Sequence, residues 1–246
     1  MPMFKNEVSG NNEDAIQGVN SSTGRGVVGV AKTATGVEGN SASGTGVFGT
    51  SETGRGVVGV AKAATGVEGN SESGFGVFGG SSRGSGVVGR GFPAGRFDGD
   101  VEVTGDIRLV NADCAEDFDI AEADSVDPGT VMVLGEEGVL RESREAYDKR
   151  VAGVVSGAGG FRPGIILDKQ DTQPNRKPIA LLGKVYCKVD ASYSPIKVGD
   201  LLTTSGTPGH AMKASSPLQA FGAVIGKALR PLSERQGLIP ILIALQ

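Results

Sequence analysis

The sequence predicts an all-β protein: an intertwined or solenoidal β-helix shaft of decapeptide repeats, followed by a compact β barrel or sandwich domain. Two observations lead to this prediction. Of the 41 glycines, 24 lie between Gly18 and Gly99, where valine recurs at every tenth position. The rest of the chain contains short apolar runs separated by turn sequences. Short strands at such spacing are typical of barrels and sandwiches.

We divide the chain into three segments. Residues 1–20 precede the repeats and are expected to attach the protein to a larger particle. Residues 21–105 form the glycine-rich repeat region, called the shaft below. Residues 106–246 have the composition of an ordinary folded domain, called the C-terminal domain below, and are expected to act as a trimerising cap.

The shaft repeats a ten-residue unit with the core Gly-Val-x-Gly. The first three units read GRGVVGVAKT, ATGVEGNSAS and GTGVFGTSET, and the next three repeat them almost letter for letter. A fixed period indicates a repeat architecture. Because valine favours strands and Ser/Thr/Asn/Gly stretches favour turns, each unit predicts one short strand and one turn. The constant valines are expected to face inward as the core of an oligomer: Val27, Val37, Val47, Val57, Val67, Val77 and Val87.

The residue after each constant valine is expected to face outward, since successive strand residues point to opposite sides. This position cycles through valine, glutamate and phenylalanine, and a buried glutamate would be costly. A helix is excluded, because each glycine costs about 1 kcal/mol relative to alanine. A flexible linker is the alternative for Gly/Ser-rich sequence. The constant valine argues against a linker, which needs no periodic apolar residue.

The height of the shaft favours three chains over one. A single-chain solenoid with three units per turn climbs one strand spacing, about 4.8 Å, for every thirty residues. Seven units would then form little more than two turns, fewer than a stable solenoid requires. If three copies intertwine, each unit climbs one spacing, and the shaft reaches roughly 35 Å. The repeat therefore predicts a homotrimer.

The C-terminal domain contains eight strand-like runs. Turn sequences separate them, such as Asp-Pro-Gly at 127–129 and Gly-Thr-Pro-Gly at 206–209. Short helices are also predicted near residues 144–150 and 218–221. The predicted strands are residues 107–110, 130–134, 151–155, 164–167, 179–189, 201–205, 223–229 and 238–245.

Composition excludes several classes of protein. The net charge is −4 and no basic face is evident, which argues against nucleic-acid binding. No run of 18 apolar residues predicts a membrane span, and the N-terminus lacks the apolar region of a Sec signal. We therefore expect synthesis in the cytoplasm, and a final location on a virion or extracellular particle.

One histidine and two cysteines are too few for a zinc site, so we expect no metal and no cofactor. Cys114 and Cys187 are expected to be free thiols, and a bridge between them would require an oxidising compartment. His210 lies in a Gly/Pro turn and is expected to be an ordinary loop residue.

Several segments of the C-terminal domain carry a family resemblance. They read ADCAEDFDIAEADSVDPGTVMVLG, YDKRVAGVVSGAGG, ALLGKVYCKVD, PIKVGDLLTTSGTPGHAMKA and GAVIGKALRPL. Together with the preceding GVxG repeats, they resemble phage tail-fibre and appendage proteins. The C-terminal half is similar to the peptidase-G2-like or intramolecular-chaperone domains of such fibres. Similar domains also end glycine-repeat proteins of bacteria.

The resemblance implies that the C-terminal domain nucleates trimerisation of the shaft, and that some members cleave themselves afterwards. Self-cleavage needs a side chain that attacks the preceding carbonyl, assisted by a base. The resemblance makes Ser156 the first weak candidate. Cys114 is the second, because an acid, Asp113, precedes the thiol. The alternatives are an ordinary serine at a strand end and a small buried cysteine.

Seven carboxylates follow one another without an intervening Lys or Arg. Alternating carboxylates can bind calcium, but this spacing matches no EF-hand loop. A solvated strand face is the favoured interpretation. The residues are Asp113, Glu116, Asp117, Asp119, Glu122, Asp124 and Asp127.

The sequence therefore predicts a non-enzymatic fibre or spike protein of a phage or phage-derived particle. Expected partners are two further copies of the chain, a host particle bound through the N-terminus, and a cell-surface glycan or protein as a receptor. Two alternatives stay open. One is an autoproteolytic intramolecular-chaperone protein that cleaves itself once, and the other is a bacterial surface or filament repeat protein.

Overall fold

A computed structural model describes residues 17–170 and 175–244. The chain divides into two compact units, Met1–Arg96 and Phe97–Gln246. Most of the predicted attachment segment, residues 1–16, lies outside the described residues. The protein is all-β, as predicted, and every strand of the described residues lies in the second unit. No helix among the described residues is long and apolar enough to cross a membrane.

The second unit contains one short α-helix, α1 (Pro217–Ala220), and two 3-10 turns, Ala123–Ser125 and Glu136–Gly138. Its strands, in chain order, are β1 (Asp113–Asp119), β2 (Val131–Leu134), β3 (Leu140–Glu142), β4 (Val151–Val155), β5 (Pro163–Leu167), β6 (Arg176–Asp190), β7 (Leu201–Thr204), β8 (Ala211–Lys213), β9 (Val224–Ala228) and β10 (Gln236–Ala244).

Five strands close into a barrel in the order β6-β10-β9-β7-β8, with β8 returning to β6. The longest ladder joins β6 and β10, which pair antiparallel from Gln236 opposite Asp190 to Ala244 opposite Leu182. Alternate residues of both strands are buried in one apolar core. Strand closure satisfies the backbone groups that an open sheet would leave at its edges.

The first half of β6 also belongs to a second group of strands. Ala180 of β6 lies opposite Ala115 of β1 on one edge and Val154 of β4 on the other. Strands β2 and β3 continue from β4, and a parallel bridge between Ile120 and Leu140 links β3 back to the residue after β1. A smaller apolar cluster that includes Ile120, Met132, Leu140 and Ile179 fills this group.

The structure confirms seven predicted strands in the C-terminal domain within a few residues. The prediction of a helix at 144–150 is wrong, because this segment is a series of turns. Tyr147 adopts a positive φ of 58° there, and its hydroxyl accepts hydrogen bonds from the backbone N–H groups of Ser215 and Ser216. The prediction of a strand at 107–110 is also wrong for the single chain, since these residues pair with none of the described strands.

The shaft forms periodic turns without paired strands, so the repeat strands predicted from the sequence are absent from the single chain. In four units a serine Oγ accepts a hydrogen bond of 2.9 Å from the N–H of the glycine three residues later, as Ser51 does from Gly54. The physical reason for the missing strands is the lack of a neighbour. A strand needs a second strand beside it, and one copy of the shaft supplies none.

Candidate functional site

The constant valines of the shaft form one repeated surface, called the valine stripe below. Their side chains are 68–74% exposed in the single chain. Each valine nevertheless occupies a defined position: Val57 Cγ2 would lie 2.7 Å from a Cβ atom added at Gly49, eight residues earlier. Five of the other constant valines have the same relation to the glycine eight residues before them, and Val27 has it to Gly18, nine residues before. The repeat thus holds its valines in equivalent places while leaving most of their apolar surface uncovered.

The two glycines of each Gly-Val-x-Gly core have a steric role. A Cβ atom at Gly56 would lie 2.6 Å from the carbonyl oxygen of Gly49, and one at Gly49 would lie 2.7 Å from the carbonyl oxygen of Gly56. The same close approach recurs between the equivalent glycines of successive units. Because the obstructing atom is backbone, a side chain could not be accommodated by rotation.

The residues after the constant valines are exposed, including Phe48 and Phe78. The two glutamates at this position each accept a hydrogen bond from an asparagine two residues later, at 2.7 Å for Asn40 to Glu38 and 2.8 Å for Asn70 to Glu68. Valine, glutamate and phenylalanine therefore recur on the shaft surface with a thirty-residue period.

The shaft backbone has unmet hydrogen-bonding capacity. Among the described residues, 17–95 form no backbone–backbone hydrogen bond with one another. A single-chain β-solenoid would form such bonds between successive turns. Backbone N–H and C=O groups require partners wherever water is excluded. In the single chain, the valine stripe and these backbone groups are therefore both uncovered by other parts of the shaft.

Ser156, the first self-cleavage candidate, follows β4 and is 4% exposed. Its N–H donates to the Pro178 carbonyl oxygen at 2.8 Å, and the preceding Val155 carbonyl accepts from the Gly129 N–H at 2.8 Å. The Val155–Ser156 peptide is therefore held on both sides by the sheet. Among the described residues, the Ser156 hydroxyl has no hydrogen-bond partner.

Asp113 faces the same interior region from β1. It is 4% exposed, and neither carboxyl oxygen has a hydrogen-bond partner within the described part of the chain. Burial raises the pKa of Asp113, and the nearby Ser156 hydroxyl acts in the opposite direction, although the two groups are not in hydrogen-bond geometry. The structure thus brings together Ser156 and the acid that precedes Cys114.

The two cysteines are free and occupy different environments. Cys114 lies half-buried on β1, opposite Leu182 of β6 and Ile165 of β5. Cys187 lies in the barrel core, where burial raises the pKa of its thiol to about 12. A thiol that is protonated at neutral pH is a poor nucleophile. Cys187 is therefore a core residue.

The carboxylate run is not one solvated face. Alternate residues of β1 point inward, so Asp113 and Asp117 are buried, while Glu116 is half-buried and Asp119 is exposed. The expectation of a solvated strand face is wrong for these two aspartates. Four residues of extended chain separate them by about 13 Å, too far to share one cation. Among the described residues, no group of three or more acidic, histidine or cysteine side chains is placed to hold a metal ion.

A cleft of about 270 Å³ lies beside β2 and β3 and was not predicted from the sequence. Its apolar lining includes Val126 and Val133, and Arg141, Asp148 and Arg150 line it as well. Asp148 binds Arg150 through two side-chain hydrogen bonds of 2.9 and 2.7 Å. These hydrogen bonds lower the pKa of Asp148, although burial opposes them. A helix over 144–150 would have placed Asp148 and Arg150 on different faces, which is why sequence reasoning missed the pair.

His210 is a half-buried loop residue whose Nδ1 lies 2.6 Å from the Pro208 carbonyl oxygen. Its backbone also fixes the loop, since the His210 carbonyl accepts hydrogen bonds from both the N–H and the hydroxyl of Ser205. This arrangement agrees with the structural role expected from the Gly/Pro turn.

No family model and no curated protein match this sequence. Among solved structures, the chain is similar to the C-terminal fragment of gene product 12 of bacteriophage phi29. The sequence identity is 17% and the TM-score is 0.36. The likeness covers 53% of this chain and 99% of the phage fragment.

Proposed function

We propose that the protein is a structural fibre or spike of a phage or phage-derived particle, assembled as a homotrimer. Its place is then on a virion or extracellular particle, with the N-terminal segment attached to that particle. The valine stripe is the observation that carries the proposal. Seven constant valines, each at least 68% exposed in the single chain, are useful only if other chains cover them.

Two further features support an assembly of several chains. The described shaft backbone lacks internal strand pairing, so neighbouring copies are the natural source of its hydrogen bonds. The sequence of the C-terminal domain resembles domains that trimerise such shafts. In a trimer, three equivalent valines meet at each level around a common axis, and the cycling outward residues stay accessible to a receptor such as a cell-surface glycan or protein.

Sedimentation tests the assembly directly. We expect a stable species near 75 kDa, three times the 24.9 kDa chain, at micromolar concentration. A monomer under the same conditions would contradict the trimer. A dimer or tetramer would agree with valines covered by other chains, but it would contradict the three-fold axis.

We also propose that the protein is not an enzyme. The Val155–Ser156 peptide, the bond that Ser156 would attack, is held in regular sheet hydrogen bonding at both ends. Self-cleavage generally depends on a strained peptide. Mass spectrometry after prolonged incubation is therefore expected to find a single 24.9 kDa chain.

The autoproteolytic alternative keeps one specific observation in its favour. Asp113 and Ser156 are buried near each other, and neither side chain has a hydrogen-bond partner among the described residues. A discrete fragment that disappears in Ser156→Ala or Cys114→Ala variants would make self-cleavage the function of this domain.

A further inference from the structure

One strand of the C-terminal domain has an open edge. Among the described strands, β5 pairs with β1 alone, whereas every other strand has at least a bridge on each side. For β3 the second neighbour is the single bridge between Leu140 and Ile120. The sequence of β5 is Pro-Gly-Ile-Ile-Leu, without a charged residue. Ile165 and Leu167 are 43% and 48% exposed. Natural edge strands are usually protected by charges, prolines, bulges or covering segments. Strand β5 has Pro163 and an irregular register at Gly164, but residues 165–167 carry none of these protections.

A segment with the pattern of a strand, but without a partner, lies in the same unit. Residues 101–110, called the linker segment below, read VEVTGDIRLV. Val101, Val103, Ile107 and Leu109 occupy alternate positions, with Gly105 between them, and most of the intervening residues are polar. Such strict alternation is typical of a half-buried strand. The four apolar side chains are nevertheless 46–67% exposed, and the segment forms no strand.

We infer that β5 is the docking edge for the linker segment of a second copy of this chain, which adds a strand there. The inference rests on the proposed trimer. Strand addition would give partners to the open backbone groups of β5 and cover Ile165 and Leu167 with the apolar face of the linker segment. It also explains why a sequence with such clear alternation stays unpaired in one chain.

The chain's own linker segment is badly placed for this pairing. Strands β1 and β5 run parallel with Asp113 opposite Pro163, so the residues before Asp113 lead towards the N-terminal end of β5. There Leu109 Cβ and the Asn111 carbonyl oxygen would each lie 3.4 Å from a Cβ atom added at Gly164. These residues lie beside Gly164, at the start of β5, and no backbone hydrogen bond joins residues 101–110 to β5 within the described part of the chain.

A second copy fits the stoichiometry of the two segments. Each chain offers one linker segment and one β5 edge, two different surfaces. A contact between different surfaces is heterologous, and it closes without free ends in a ring. Three chains in a ring would therefore use every linker segment and every β5 edge. The linker segment includes the last five residues of the shaft and continues directly from it, so assembly of the shaft would hold this segment at high effective concentration near the neighbouring domain.

Hydrogen–deuterium exchange of the full-length wild-type oligomer tests the pairing without mutation. We expect slow exchange in residues 101–110 as well as in 163–167. An Ile165→Lys/Leu167→Lys variant places two charges on the edge and should make exchange of residues 101–110 about tenfold faster. The matched control is Leu218→Lys in α1, whose side chain is 91% exposed and lies outside both segments. It should leave this exchange unchanged.

The outcomes separate this inference from the trimer itself. Fast exchange of residues 101–110 in a wild-type trimer would overturn strand addition and leave the trimer standing. A wild-type chain that sediments as a monomer would remove both. If residues 101–110 still exchange slowly in the double-lysine variant, β5 is not the docking edge, because the linker segment must then be covered elsewhere.

Discussion

A Cβ atom on Gly56 would lie 2.6 Å from the carbonyl oxygen of Gly49, closer than real Cβ atoms approach backbone. The pair joins two successive repeat units, and its equivalents recur along the shaft. The Gly-Val-x-Gly pattern is therefore a steric requirement: glycine lets successive units approach, and the valine next to it is held in a fixed place.

We predict that Gly56→Ala loosens the shaft at that unit. The added methyl group can be accommodated only if the backbone moves, which would also displace Val57. Limited proteolysis should detect faster cleavage near residues 49–57, where the two repeat units meet. Gly99→Ala is the control, because a Cβ atom there meets nothing within 4 Å and the residue lies outside the linker segment. Equal protease resistance of both variants would contradict a steric role for Gly56.

Val57→Asp should disrupt the assembly. In the proposed trimer the change puts three carboxylates at one level of the axis, where unpaired burial costs several kcal/mol. Sedimentation should show partial or complete dissociation. Val58→Asp changes the neighbouring outward position by the same chemistry and should leave the trimer intact. If Val58→Asp dissociates the protein and Val57→Asp does not, the assignment of inner and outer faces is reversed.

Asp113→Asn is expected to stabilise the domain at pH 7. Burial raises the pKa of Asp113, and Ser156 opposes this shift. A raised folded-state pKa contributes stability that is fully present below the unfolded pKa near 4 and is lost as the pH rises through the folded value. At neutral pH the charged, buried carboxylate therefore lowers the stability of the folded state, and asparagine removes this charge. Denaturant unfolding from pH 4 to 7 would measure it.

The control for this change is Glu116→Gln, at a half-buried position of the same strand that points the other way. In this variant, the free energy of unfolding should depend on pH between pH 4 and 7 as it does in the wild type. Destabilisation by Asp113→Asn at neutral pH would mean that the charged form of Asp113 has a stabilising partner in the assembled protein.

Asp148→Asn should have the opposite effect on stability: we expect it to destabilise the domain at pH 7. Hydrogen bonds from Arg150 lower the pKa of Asp148 despite its burial, so its contribution to stability is present above the unfolded pKa and lost as the pH falls through the folded value. We expect a loss of about 1–2 kcal/mol at pH 7 that shrinks in acid. Thermal unfolding across this range measures the difference. Glu145→Gln is the control, since Glu145 Oε2 lies 3.6 Å from Arg150 Nη2 and is 72% exposed. A loss in Asp148→Asn that is independent of pH would point to packing instead of charge.

The C-terminal domain should fold without the shaft. Both apolar clusters lie within residues 106–246, whereas the shaft has one constant valine per ten residues and a high content of glycine. Circular dichroism should therefore detect β structure and a cooperative transition in a 106–246 fragment. A 1–100 fragment should stay soluble and largely unstructured. Cooperative β structure in the 1–100 fragment would show that the repeats of several chains align without the C-terminal domain.

Local signals in the sequence determined much of the fold. The ten-residue period marked the shaft, and the runs at 151–155 and 164–167 correspond to β4 and β5 because turn residues bound them on each side. Sequence reasoning missed β1, β3 and β8. Strand β1 reads DCAEDFD, which has no apolar alternation, and it is a strand because β5 and β6 flank it.

The burial of polar side chains and the exposure of apolar ones became visible only in the folded molecule. The sequence predicts a solvated face for Asp113, yet pairing of β1 turns this residue inward towards Ser156. Residues 107–110 have the alternation of a strand, yet no strand forms, because a strand exists only where a second one lies beside it. A sequence specifies whether each segment favours a strand, a turn or a helix. Burial and pairing depend on what the rest of the molecule places next to that segment.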